Sequence, residues 1–349
     1  MSLNDFMRAG EQTAGINNLV LFYNGHYKNN AGIWTTEQFL PYVSYLDEQG
    51  KAKDWFYDGC LFLAKWSHRF HGYEESENPN DLEDWIWYLD KTFGDGGDLS
   101  KLNQAVTLAG EQLGDQDTKM KVVIMIPYPD PRQKAFGVLD GAGSLCFSPE
   151  LVSPEEAHAN KQQAVRWYVD QVWERWQENA AQYSRLELSA LYWMNEAVRA
   201  AVPFENDLVR YTGDLVHDKG LKYFFIPWFK AEQYEKWEEL GFDAAILQPN
   251  HFFGDSEASR IEETAHLARK AGMGVEIEVD PRAFQNPKFE QKYIDYLNGA
   301  VDFGYEKDVF KGYYQDVKFL EMASRSSDPE QRKFYDWTYE FVKGTYTKK

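Results

Sequence analysis

Two cysteines, Cys60 and Cys146, are all that the 349 residues contain. Two are too few for a disulfide framework, and they lack the spacing of a zinc site, so they decide nothing about redox compartment. Long apolar runs are missing as well. No stretch approaches the roughly 20 residues a bilayer-spanning helix needs, and membrane insertion is not expected. The opening MSLNDFMRAG has neither the basic flank nor the apolar stretch of a secretory signal. That leaves the compartment open, because export or cell-surface display with the signal removed is compatible with the same residues. Positive charge is scarce: 37 Lys and Arg stand against 56 Asp and Glu, for a formal charge of −19. Such a surface repels phosphate backbones, so nucleic acid is not an expected partner. No Gly/Ser-rich linker or low-complexity tract divides the chain. The glycine-rich DGAGS at 140–144 lacks the lysine and the strand-to-helix setting of a phosphate loop, and no serine stands in a nucleophile elbow. No cofactor is called for, and nothing marks an oligomeric state.

What the chain does have is aromatic rings: 12 Trp, 22 Tyr and 23 Phe. Flat apolar rings with polar edges suit both cores and sugar-stacking surfaces. It also has a repeating alternation. Apolar runs led by a turn and followed by amphipathic stretches recur at 17–25, 58–64, 121–131, 186–196, 219–229, 240–250, 271–281 and 309–316. The runs at 219–229, 240–250 and 271–281 each start at a glycine after a charged helical segment, as when a left-handed glycine ends a helix and feeds a buried strand. Between the runs, 161–178 reads as the clearest helix, with Val165, Val169, Val172, Trp173 and Trp176 on one face. Eight alternations predict an α/β fold, a (β/α)8 TIM barrel spanning residues 1–349 as one domain. Long loops are expected after strand two (65–81) and strand three (128–154), walling a cleft at the C-terminal ends of the strands.

The seventh run, AGMGVEIEVDP, sets Glu276, Glu278 and Asp280 on alternate positions against Val275, Ile277 and Val279. If the valine and isoleucine row faces the helices, the acids face the barrel interior, where a carboxylate is costly to bury and points to a site. The middle acid, Glu278, is the choice for chemistry, and Glu276 is expected to contact substrate. Strand four ends in YWMNE, which offers Glu196 as a partner across the mouth and, beside it, Asn195 to hydrogen-bond a sugar hydroxyl. An Asn-Glu pair is also what a helix N-cap would use. Paired with Glu278 three strands on, it reads instead as half of the two-carboxylate arrangement that cleaves a glycosidic bond. Further polar residues at strand ends complete a candidate sugar-binding ring: Asn24 and His26, Tyr128 and Asp130, Trp228, Gln248, Asn250 and His251, and Asp316, with Tyr128 and Trp228 as stacking platforms.

The Asn-Glu ending of strand four and the Glu ending of strand seven resemble the clan of retaining (β/α)8 glycoside hydrolases, in which the first Glu is the acid/base and the second the nucleophile. That resemblance implies these roles for Glu196 and Glu278. It is incomplete, since the clan's arginine near the end of strand two is replaced here by Lys65 and His68. PYVSYLDEQGKAKDWFYDGCLFL (41–63), IPYPDP (126–131) and LELSALYWMNE resemble the bacterial family catalogued as domain of unknown function 4855. This implies a barrel and, by analogy with polysaccharide-handling bacteria, a carbohydrate ligand.

His68 and His71 near Glu74 and Glu75 have metal-like spacing but no third ligand at a strand end, so no metal is expected. The run EESENPNDLEDW (74–85) reads as a solvated loop leading into a helix. The expectation is a carbohydrate-active barrel that cleaves glycosidic bonds with Glu196 and Glu278. The alternatives are a barrel that binds a glycan without turnover, and a metal-dependent hydrolase or lyase built on Asp130 or Asp316.

Overall fold

The computed structural model describes residues 5–139, 141 and 143–349, so Asp140 and Ala142 of the DGAGS stretch and the first four residues of MSLNDFMRAG lie outside it. In chain order the elements are β1 (Asn18–Tyr23), α1 (Thr36–Val43), β2 (Ser44–Leu46), β3 (Ala52–Trp55), β4 (Gly59–Leu63), α2 (Leu82–Phe93), α3 (Asp98–Leu113), β5 (Met120–Ile126), α4 (Pro154–Asn179), β6 (Leu186–Trp193), α5 (Glu205–Asp218), β7 (Lys222–Phe225), β8 (Ala244–Leu247), α6 (Ser259–Ala271), β9 (Gly274–Glu278), α7 (Pro287–Phe303), β10 (Lys311–Tyr314), α8 (Phe319–Arg325) and α9 (Pro329–Val342). Eight strands close a barrel in the order β1-β10-β9-β8-β7-β6-β5-β4, and every pairing in it is parallel.

All eight predicted runs are barrel strands. The reason they read so clearly is that a parallel barrel strand is covered on both faces, which makes it a short, almost uninterrupted apolar run. β4 (GCLFL) and β8 (AAIL) are buried at every position. α6 ends at Gly272, whose φ of 67° lies in the left-handed region, and β9 begins two residues later. The predicted 161–178 helix is the C-terminal part of α4, capped by the Ser153 side chain; Val165, Val169, Val172 and Trp176 are buried.

Two departures from simple alternation matter. After the fifth barrel strand, β7, there is no α-helix. Residues 230–240 make turns and one 3-10 turn at Tyr234–Lys236, and Trp237 is buried with its Nε1 donating to Ala271 O at 2.8 Å. The β2–β3 hairpin lies outside the barrel, where Tyr45 stacks on Tyr339 of α9 with ring centroids 3.9 Å apart. Among the described residues no helix is long and apolar enough to cross a membrane.

Candidate active site

Side chains alternate along each barrel strand, so residues two apart share the interior. On β6 and its extension this puts Tyr192, Met194 and Glu196 on one line; on β8, Gln248 and Asn250 follow Ile246; on β10, Tyr314 and Asp316 follow Gly312. At the C-terminal mouth these lines meet a cavity of about 280 Å³. Its wall includes Glu196, Glu276, Asp316, Gln248, Asn250, Glu74, Lys65 and the rings of Tyr23, Tyr27, Tyr192, Phe253 and Tyr314.

Glu196 opens into this cavity. α5 starts only at Glu205, so the Asn195-Glu196 pair is not a helix cap. Burial, then the Glu74 charge, raise the Glu196 carboxyl to about 8; a hydrogen bond with Gln248 and the Lys65 ammonium pull it down, and Glu278 adds to the rise. Asn195 points elsewhere. Its Oδ1 accepts from Glu75 N at 3.0 Å and its Nδ2 donates to Ala197 O at 2.8 Å, so the amide fastens the loop after β4 beside Glu196.

The two glutamates of β9 have different surroundings. Glu276 is in the cavity wall although it is only 3% exposed, and among the described residues no donor reaches its carboxylate. Burial, followed by repulsion from Glu278 and Glu196, pushes its pKa well above the ordinary carboxyl value. Glu278 is fully buried behind the segment Asn250–Phe253 and does not line the cavity. Its Oε1 accepts from Asn250 N at 2.8 Å, and its Oε2 from Phe252 N at 3.3 Å and from the Tyr296 hydroxyl of α7. Burial raises Glu278 to about 7, while Tyr296, the two backbone N–H groups and the Arg260 charge oppose the rise. Hydrogen bonds to the ionised form favour it, so Glu278 is equipped to carry charge and Glu276 is not.

Of the other expected contacts, Gln248, Asn250 and Asp316 line the cavity. The remainder serve neighbouring structure. Asn24 donates to Thr92 Oγ1 (3.1 Å) and Asp98 Oδ2 (3.0 Å) on the helix side. The ring of His26 packs on Phe70 with centroids 4.8 Å apart. Tyr128 is buried edge-on to Trp193. Asp130 is paired with Arg132 at 2.6 Å and accepts from Ser76 N at 2.9 Å, joining the loops after β4 and β5. Trp228 has the Arg199 guanidinium 5.2 Å from its ring, and His251 is buried between Ser256 and Asp295.

The run 74–85 is not simply solvated: Glu74 reaches the cavity with Lys65 Nζ 3.1 Å from its Oε1, and Asn80 and Asp84 are buried. His71, Asp81 and Asp84 lie close enough together to suggest a metal site, but the Arg69 guanidinium bridges Asp81, Glu83 and Asp84 and supplies the counter-charge. The tyrosines of the wall were missed. The period-two rule that singled out β9 also places Tyr192 in line with Glu196, and Tyr314 in line with Asp316.

A closed parallel barrel with a carboxylate-rich pocket at the C-terminal mouth is the architecture in which barrel enzymes hold their chemistry. The chain belongs to the family described as Domain of unknown function (DUF4855), matched over residues 18–340. No curated protein sequence matches it. It is similar to solved structures of a protein from Bacteroides thetaiotaomicron assigned provisionally as an alpha-L-fucosidase (17% identity, 98% of each chain, TM-score 0.48) and of fungal beta-1,4-galactanases (10%, 91% of this chain and 99% of that one, 0.46). It is similar too to the tryptophan synthase alpha-subunit of Pyrococcus furiosus (9%, 97% and 99%, 0.40).

Proposed function

We propose that this protein hydrolyses glycosidic bonds in a poly- or oligosaccharide with retention, Glu196 acting as general acid/base and Glu278 as nucleophile. The observation that carries the reading is the state of Glu196. Its carboxyl is raised to about 8 at the barrel mouth, so it holds a proton at neutral pH and can give it to a leaving oxygen. A retaining enzyme needs the second carboxylate ionised. Glu278, with three donors on its oxygens, meets that need better than Glu276, which has none. For Glu278 to attack an anomeric carbon, Asn250–Phe253 must draw back. Asn250 sits at φ 50°, a conformation uncommon outside glycine, at the edge of that segment. Tyr192, Tyr314 and Phe253 supply rings against which a sugar face can lie.

The burial of Glu278 favours one competing reading, a barrel that holds a glycan without cleaving it. A panel of polysaccharides and aryl glycosides offered to the wild type, Glu196→Gln and Glu278→Gln separates the two. Hydrolysis by the wild type and its loss in both variants is expected. Equal residual hydrolysis in all three would reject the assignment, and glycan binding with no hydrolysis by any would support the binding barrel.

A further inference from the structure

The cavity has an unbalanced charge inventory. Four carboxylates, Glu74, Glu196, Glu276 and Asp316, line it, and Lys65 is the one cation among its lining residues, already engaged by Glu74. Glu278 stands behind the wall. A ligand bearing a carboxylate or sulfate finds no unengaged cation among the described lining residues to receive it.

Glu276 sharpens the point. It is nine-tenths buried or more, aimed into the cavity, and without a donor, and buried polar groups in folded proteins nearly always have partners. The groups that feel its charge are Glu196, Glu278, Tyr23 and Tyr192, none of them cationic. A ligand that fills the site and displaces water from it has to bring donors to this carboxyl. A metal ion is a poor candidate because it needs several oxygens converging on one point. Among the described residues no three acidic or histidine ligand atoms in this cavity lie within 4.8 Å of one another; the sole such group is at His71, Asp81 and Asp84. A volume of about 280 Å³, near the roughly 300 Å³ lower end of ligand pockets, suits a group the size of a monosaccharide.

We propose that the pocket recognises an amino sugar with a free, protonated amine, a hexosamine unit of its glycan, whose ammonium donates to the Glu276 carboxylate. This rests on the reading that the pocket takes carbohydrate, and it names the class. The three N–H donors of an ammonium answer the cavity's unpartnered acid, and its positive charge meets no unengaged cation among the described lining residues. An N-acetylated sugar offers a single neutral N–H and no charge.

The test is calorimetric titration of the full chain at pH 7 with glucosamine and galactosamine, each against its N-acetyl form and against glucose and galactose. The amines are expected to bind at least about tenfold more tightly, the size of one charge-assisted hydrogen bond. Glu276→Gln, checked for folding by thermal melting, is expected to bring amine and neutral sugar within about twofold. Binding of the amine drives a proton off Glu276, so the observed heat changes between buffers of different ionisation enthalpy, and this dependence disappears in Glu276→Gln. Equal or tighter binding of the neutral or acetylated sugars overturns the proposal, as does a preference that needs added calcium or vanishes with a chelator. Amine preference without hydrolysis of any glycoside leaves this inference standing and removes the hydrolase. Hydrolysis that depends on Glu196 with no amine preference does the reverse.

Discussion

Tyr296 on α7 donates its hydroxyl to Oε2 of Glu278 on β9, so the helix that follows the strand holds the strand's last carboxylate from outside the barrel. The bond favours the ionised carboxylate. Tyr296→Phe removes one of three donors, and a hydrogen bond to a charged group is worth about 1.5–3 kcal/mol. Glu278 is then expected to titrate about one to two pH units higher. The acid limb of the rate against pH moves up by that amount, whereas the alkaline limb, set by Glu196, stays nearly in place.

On the proposed assignment the wild-type profile is expected to be narrow. Activity would need Glu278 ionised, which fails below about 7, and Glu196 protonated, which fails above about 8. The limbs belong to interacting groups and are macroscopic values. Glu74 is the largest charge raising Glu196, so Glu74→Gln is expected to move the alkaline limb down and narrow the bell further. A profile of kcat/KM for the two proteins measures it.

Glu205 opens α5 in a buried position, close to Lys161 and to the Tyr128 hydroxyl. Burial raises it from 4.5 to about 7, against the pull of Lys161 and a hydrogen bond with Tyr128. The folded chain thus holds a proton that the unfolded chain releases above its lower value. The associated stability is present in full below pH 4.5 and lost as pH rises toward 7, a difference on the order of 3 kcal/mol. Denaturant unfolding at pH 5 and at pH 8 should show wild type losing more stability than Glu205→Gln over that span.

Asn195→Ala unfastens Glu75 N from the end of β6 and leaves buried polar groups unpaired. A loss of about 1–3 kcal/mol of stability is expected. KM is expected to rise more than kcat falls, because the loop that carries Glu74 and Lys65 to the cavity is released while Glu196 keeps its strand. Steady-state kinetics with a melting curve read both.

The barrel was legible in the sequence because burial on both faces leaves each strand an unmistakable apolar run, and glycines such as Gly272 mark the joints. Glu196 stood out as an acid closing an almost entirely apolar run. The pocket wall was less legible. Asn24, Asp130 and His251 sit at strand ends as sugar-binding groups do, but whether such a residue turns inward or toward a helix depends on partners far along the chain, such as Asp98 for Asn24 and Asp295 for His251. Glu74 was hidden for the same reason. A run of acids looks solvated until Asn195, 120 positions later, fastens its backbone. The separate fates of Glu276 and Glu278 were beyond reach of alternation, which gives them the same face. The β8–α6 loop decides which of them is open.

The assignment of Glu278 is tested most directly by trapping. An activated 2-fluoro glycoside of a sugar the enzyme accepts should leave a covalent glycosyl adduct, and peptide mass spectrometry locates it. A stoichiometric ester on Glu278, and none in Glu278→Gln, is expected. An ester on Glu276, or turnover of ordinary glycosides with inversion at the anomeric carbon, would contradict the assignment.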